Sequence, residues 1–289
     1  MLYAVALTGL LPDDEFLRPE GQNAAEIVAP RLADLTANFR AVRYDLEGPG
    51  DEAVEIPRLL LRSLPQDWTT LEDIDRRKTL FVQTVLPMVL EANRAIWRDR
   101  RRLRQIRSRR SLSKEEEAWL ADAADRYGTA ADDLDGLLMR IDEVPPSLAL
   151  AQAALESGWG TSRFARQGNA LFGQWSWAPG SGLVPAERED GATHEVRSFD
   201  RLADSVRSYM HSLNTHAAYE QFRTERARFR ATTPVVRGAE LAPTMLKYSE
   251  EREIYVRKLL TVIRANNLER FDLVRFRQGR WVLEPDGSV

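Results

Sequence analysis

Between residues 71 and 110 apolar side chains recur three or four positions apart, at Leu80, Phe81, Val85, Met88, Val89, Ala92 and Ile96, while Lys and Arg fill the other face. That period predicts one long amphipathic helix, bent near Pro87, where a main-chain donor is missing. Ser113-Lys114-Glu115-Glu116 has the form of a capping box, so a second helix is expected from there to Tyr127, ended by Gly128. A short third helix is expected over 132–140. After Pro145-Pro146 an almost purely apolar run predicts a helix that reaches Glu156 and stops at Gly158 and Gly160. Residues 172–177 and 193–199 read as the arms of a β-hairpin, since aromatic and β-branched residues flank a Gly, Pro and Ser rich connection. Helical patterns return at 200–213, 216–230, 238–246 and 250–266. Alternation over 271–276 and 281–283, around Gln278-Gly279, predicts a small terminal hairpin.

The first 57 residues have weak periodicity and a turn signal at Gly48-Pro49-Gly50, which fits an accessory or anchor segment. The expected organisation is therefore 1–57 as that segment, 58–141 as a helical N-terminal region, 142–268 as a catalytic domain and 269–289 as a tail. Residues 1–11 are apolar but lack a basic start and a small-residue cleavage site, and they are too short to span a bilayer. A trimmed signal or anchor and a first buried helix fit them equally.

Composition narrows the function classes. The 289 residues carry 41 Lys and Arg against 44 Asp and Glu, so a net charge of -3 gives the whole molecule no strong pull toward nucleic acid or anionic membrane, and any such partner would need a local patch. Membrane contact is expected only through the N-terminal segment. The absence of cysteine removes disulfide scaffolds, thiolate zinc sites, iron–sulfur clusters and thiol nucleophiles. One local exception to charge balance is the stretch 98–110, with eight arginines in thirteen residues. At a helix end such charges complement the dipole and pair with Glu115 to Glu117, which favours a solvated face.

Glu156 closes the run Leu148-Ala149-Leu150-Ala151-Gln152-Ala153-Ala154-Leu155, so a carboxylate there needs a reason. Stepping back four residues at a time puts Gln152 and Leu148 on its face of the helix. Burial and the negative end of the helix dipole both favour the protonated form, raising the pKa as a general acid near neutral pH requires. An exposed Glu making a surface contact is the plain alternative. Gly158-Trp159-Gly160 turns the chain directly afterwards, and Phe172, Trp175 and Trp177 follow within twenty-one residues. Indole faces suit pyranose rings, although Trp159 and Phe172 serve equally well as core.

The stretch Val144 to Trp175, VPPSLALAQAALESGWGTSRFARQGNALFGQW, resembles the signature of bacterial peptidoglycan glucosaminidases, the group that includes the flagellar rod-associated muramidase-like enzymes. Within that group it is most similar to the Bax-type envelope proteins. The similarity continues through GATHEVRSF, SVRSYMHSLNTHAAY and LKYSEEREIYVRKL, and upstream through IPRLLLRSLPQDW and LEANRAIWRDRR, covering most of residues 56 to 268.

The resemblance implies a mainly α, lysozyme-like fold with a small β-hairpin beside the cleft, in a periplasmic or cell-envelope enzyme acting on peptidoglycan glycan strands. It implies Glu156 as the acid and Tyr248, the first of two tyrosines before the last helix, as the cleft tyrosine; Tyr255 corresponds to the second. Substrate contacts are expected from Gln152, Trp159, Asn169, Phe172 and Trp175, with no metal and no organic cofactor. Glycosidases commonly pair two carboxylates. Among Glu187, Glu189, Asp190 and Glu195, Glu195 is favoured because it lies on a predicted strand, though a structural role fits it as well and the substrate's acetamido group can replace a protein nucleophile. His194, His211 and His216 lack ligand spacing and are read as structural. The rival readings are a lytic transglycosylase and a non-catalytic wall-binding protein.

Overall fold

In chain order the computed structural model, which describes residues 24–47, 55–185 and 193–276, begins with strand β1 (Ala25–Ile27), helix α1 (Leu32–Ala41), strand β2 (Glu55–Ile56) and strand β3 (Leu59–Leu61). β1 and β3 pair in parallel, with Ala25 opposite Leu59. Three helices follow: α2 (Ile74–Arg107), α3 (Lys114–Tyr127) and α4 (Leu134–Arg140). Then come α5 (Pro146–Ser157), α6 (Arg163–Gly168), strands β4 (Trp175–Ser176), β5 (Gly182–Leu183) and β6 (Glu195–Arg197), and helices α7 (Leu202–Thr215), α8 (Glu220–Thr232), α9 (Gly238–Leu241) and α10 (Glu253–Ala265). Strand β7 (Arg275–Phe276) closes the described chain by pairing in parallel with β2. The architecture is mainly α with a small antiparallel sheet, as expected.

Local chemistry accounts for the helix limits. Asp73 caps α2 by accepting the N–H groups of Asp75 and Arg76, both at 3.0 Å. Ser113 and Glu116 form the expected capping box at the start of α3, and Gly128 ends that helix in the left-handed region. α2 presents Leu80, Phe81, Val85, Met88, Val89 and Ala92 to the interior, where it packs against α5 and α7. One hydrophobic core runs from Ile27 and Leu35 through these residues to Leu148, Leu259 and Phe271. A smaller cluster of Ala170, Val196 and Phe199, flanked by Phe164 and Trp175, lies under the antiparallel sheet.

Several expectations change. Within the segment read as accessory, 24–47 contains an ordered helix and a strand, and Leu35 and Phe39 enter the common core. The predicted hairpin is a three-stranded antiparallel sheet in the order β4-β6-β5. Of the first arm expected for the terminal hairpin, 271–273 end the 3-10 turn Leu268–Leu273 and only Arg275–Phe276 is a strand, β7, paired with β2; the second arm, residues 1–11 and Gly48-Pro49-Gly50 lie outside the described residues. In the arginine stretch seven side chains are exposed, but Arg100 is not: it is buried, reaching the carbonyl of Ile141 at 2.8 Å and Asp142 at 3.5 Å. Its position on the inner stripe of α2, between Ile96 and Leu103, explains the difference. Among the described residues no helix is long and apolar enough to cross a membrane.

Candidate active site

α5 is buried on almost every side, packed between α2, α9, α10 and the 3-10 turn Leu268–Leu273. Its proline start has no orphan donor to satisfy, and the first free N–H, that of Ser147, is met by Asp272 at 2.8 Å. The same carboxylate accepts from the Ser147 hydroxyl at 2.8 Å and the Gly238 N–H at 3.0 Å, tying α5 to α9. At the other end Gly158, Trp159 and Gly160 all have positive φ, of 57, 57 and 83 degrees. Trp159 is unusual there, since a bulky residue in the left-handed region is strained by about 1–3 kcal/mol. Three contacts hold the turn: the Trp159 N–H donates to Ala154, the Gly160 N–H donates to the Ser157 hydroxyl, and the Trp68 indole N–H donates to the Trp159 carbonyl.

Glu156 sits in the last turn before this bend, with 7% of its surface exposed. Burial pushes its pKa up to about 8, a hydrogen bond from Tyr255 acts in the opposite direction, and the charge of Glu251 raises it again. The charge of Glu156 is felt at four buried tyrosine hydroxyls: Tyr209 from α7, Tyr219 from the turn after α7, Tyr248 from the stretch before α10 and Tyr255 from α10 itself. Burial raises the pKa of each hydroxyl above the usual tyrosine value, and the Glu156 charge adds to the effect.

The rings lock one another in place. Tyr248 stacks on Tyr255 with centroids 5.4 Å apart, and Tyr209 meets Tyr248 edge-on at 6.3 Å. Tyr248 directs its hydroxyl to the carbonyl of Phe172, at 3.4 Å. Phe172 lies flat against Tyr209 at 3.9 Å. Beneath them Gln152, fully buried, accepts from the Tyr209 hydroxyl at 2.6 Å and donates to the Tyr255 hydroxyl at 3.0 Å.

The remaining predicted site residues are placed differently. Gln152, Asn169 and Phe172, expected as substrate contacts, all lie beneath the surface. Asn169 ends α6 in the left-handed conformation and donates to the Phe199 carbonyl at 2.9 Å. Trp159 turns toward α2, edge-on to Phe81 at 5.6 Å and under the Lys78 ammonium. Trp175 is half-buried on β4, stacked on His194 at 4.3 Å and edge-on to the exposed Trp177 at 6.3 Å. Glu195 directs its carboxylate into the turn of its own sheet, accepting the N–H groups of Gly180 at 3.0 Å and Gly182 at 2.8 Å. Glu187, Glu189 and Asp190 lie outside the described residues.

His211 is buried, which lowers its pKa to about 4, and His216 accepts the Ala218 N–H. Among the described residues no three His, Asp or Glu side chains are grouped to hold a metal ion. Tyr209 and Glu251 had no signal in the sequence beyond lying in segments that carry the resemblance. They interact electrostatically with Glu156 from elements distant in the chain.

The profile of the glucosaminidase family, described as mannosyl-glycoprotein endo-beta-N-acetylglucosaminidase, matches residues 137–268. The chain is 33% identical over 196 residues to Protein bax of Escherichia coli strain K12, covering 66% of this chain and 70% of that protein. Among solved structures it is similar to the catalytic domain of the autolysin Auto from Listeria monocytogenes, at 19% identity and a TM-score of 0.35, over 58% of this chain and 93% of that one.

Proposed function

Because the chain belongs to the Bax-type family of glucosaminidases, which are glycoside hydrolases, we propose that it hydrolyses the β-1,4 bond after N-acetylglucosamine in peptidoglycan with Glu156 as general acid. Such a substrate places the protein outside the cytoplasm, at the cell envelope. The observation that carries the reading is the buried carboxyl at the closing turn of α5, held near pKa 8 by burial. A group with that pKa is about nine-tenths protonated at pH 7, so it is ready to give a proton to the leaving oxygen.

As that bond breaks, positive charge grows on the sugar ring. Tyr248, one of the tyrosines close enough to sense the Glu156 charge, would support that charge or position the N-acetyl group. Trp175 and Trp177, on the rim of the antiparallel sheet, would hold a sugar ring by its apolar face. Gln152, Asn169 and Phe172 would support these groups from below rather than touch the glycan. Glu195, already engaged by two main-chain N–H groups, would stabilise the sheet, leaving the substrate's acetamido group to act in place of a second carboxylate.

Digestion of purified sacculi with wild type and Glu156→Gln tests this. Wild type should release fragments with reducing N-acetylglucosamine ends, and the variant should be slower by roughly two to four orders of magnitude. Mass spectra showing 1,6-anhydro ends would identify a lytic transglycosylase instead, and sacculus binding by wild type without any release would identify a binding protein.

A further inference from the structure

We propose that the groove between α8 and the segment leading into α10 binds the peptide that branches from the N-acetylmuramic acid beside the scissile bond. The proposal rests on the reading of the chain as a peptidoglycan hydrolase with Glu156 as its acid. The groove has a volume of about 840 Å3 and is lined by Glu220 from one side and by Lys247, Glu250 and Arg252 from the other. That volume lies within the range of sites that hold a small ligand.

Two buried rings fix the place of the groove. Tyr219 and Tyr248 have their centroids 6.2 Å apart. Ala218 and Glu220, on either side of Tyr219 in the chain, line the groove, and so do Lys247 and Ser249, on either side of Tyr248. Tyr248 in turn stacks on Tyr255 at 5.4 Å, and the Tyr255 hydroxyl meets Gln152, one helical turn before Glu156 on the same face of α5. Two stacked rings therefore connect the groove to the helix that carries the acid. The substrate brings its peptide close by, because the branch leaves the muramic acid at the carbon next to the one that bears the leaving oxygen. At about 3.5 Å per extended residue, three or four residues span roughly 10–14 Å, enough to cross a layer of two rings.

The chemistry of the groove suits a peptide rather than another sugar. Sites for N-acetylated sugar rings, which carry no charge, use aromatic faces. Among the described residues no aromatic side chain lines the groove, and none of its lining residues belongs to the sheet that presents Trp175 and Trp177. It offers instead two cations and two carboxylates, and among the described residues none of these four side chains forms an ion pair. A peptide with free carboxylates and an ammonium group supplies partners for both signs. The wall is also set in advance. Arg252 holds φ at 46 degrees, a strained value for a residue with a side chain. Buried Ser249 fixes it there: its carbonyl accepts the Arg252 N–H at 3.1 Å and its hydroxyl accepts the Glu251 N–H at 3.3 Å. A wall already ordered loses little freedom when the ligand arrives.

The test uses two sets of soluble glycan strands, one carrying its peptides and the other stripped of them by an amidase. It measures kcat and KM, with melting temperature as the folding control. Wild type should show a KM about threefold to tenfold lower on the peptide-bearing strands. Lys247→Gln combined with Arg252→Gln should raise KM on those strands by the same factor and leave kcat within twofold, the pattern of lost ground-state binding. On stripped strands both parameters should stay within twofold. Glu220→Gln combined with Glu250→Gln should likewise act only on peptide-bearing strands. All four side chains are exposed, so the variants should fold. A wild type that treats the two sets alike, a folded Lys247 and Arg252 double variant that keeps the preference, or one that loses equally on both sets overturns the proposal. Glu156→Gln on stripped strands separates the two levels. An active Glu156→Gln overturns the acid assignment, whereas an inactive one beside a wild type without preference overturns only the peptide groove.

Discussion

The indole N–H of Trp68 donates to the main-chain carbonyl of Trp159 at 2.9 Å, across 91 residues of sequence. It thereby fastens the strained turn that follows the acid to a residue upstream of α2. Gly160 completes the arrangement, because a Cβ there would stand 2.7 Å from Trp68 Nε1 and its φ is +83 degrees. Gly160→Ala should therefore cost about 1–3 kcal/mol of stability from backbone strain and the displaced indole. Trp68→Phe, which orphans the Trp159 carbonyl and leaves a gap, should cost about 2–4 kcal/mol. Denaturant melts check both, and a Gly160→Ala protein as stable as wild type would mean that the turn relaxes freely.

The arginines of α2 should separate sharply by position. Asp142 is buried and shares its carboxylate with Arg230 at 2.7 Å, Arg100 at 3.5 Å and Arg226 at 3.9 Å. Removing one cation leaves buried charge and main-chain carbonyls short of a partner, so Arg100→Gln should destabilise by about 2–4 kcal/mol. Arg101→Gln and Arg102→Gln, on the exposed face, should each stay within about 0.5 kcal/mol. Equal melting curves for all three single variants would show that the Asp142 cluster does not depend on Arg100.

Glu156 also imposes a pH dependence on stability. Its folded pKa of about 8 lies above the value of about 4.3 expected unfolded, so its contribution is fully present below the unfolded pKa and is lost as pH rises through 8. Glu156→Gln removes that term. The variant should match wild type near pH 4.5 and become progressively more stable by comparison up to about pH 8.5, with a limiting slope of about 1.4 kcal/mol per pH unit. Asp272, raised to about 6 by burial, shifts both proteins alike and cancels in the difference. Melting temperatures across that range give the answer, and parallel curves would show that Glu156 is not desolvated in solution.

What could be read beforehand was the information that is local in sequence. The capping box at Ser113, the stops at Gly128 and Gly158, and the apolar stripe of α2 each reside within a few residues, so periodicity and capping chemistry sufficed. Glu156 stood out for the same reason, as a carboxylate in an apolar run. The parallel pairings of β1 with β3 and of β2 with β7 join very short strands through distant partners, so neither left a period-two signal. The ring of hydroxyls beneath the acid was invisible too, because Tyr209 and Tyr255 reach Gln152 from 57 and 103 residues away. Arg100 was misread because charge density hid its place on the buried stripe.

The second carboxylate is the sharpest remaining test of how the candidate site works. Glu195 carries its charge on β6, but each oxygen accepts a main-chain N–H from the turn that includes Gly180 and Gly182. A carboxylate so engaged bridges β6 to β5 and holds the sheet that presents Trp175 and Trp177. Glu195→Gln keeps one acceptor oxygen and turns the other into a donor facing an N–H. The expected cost is about 1–3 kcal/mol of stability, with less than a tenfold loss of kcat and a larger rise in KM as the tryptophan rim loosens. A base or nucleophile replaced in this way would instead lower kcat by roughly two to four orders of magnitude with little change in melting temperature. The two patterns differ in both readouts. A cold-stable, catalytically dead Glu195→Gln enzyme would therefore restore a two-carboxylate mechanism, and a destabilised but active one would leave the reaction to Glu156 and the substrate's own acetamido group.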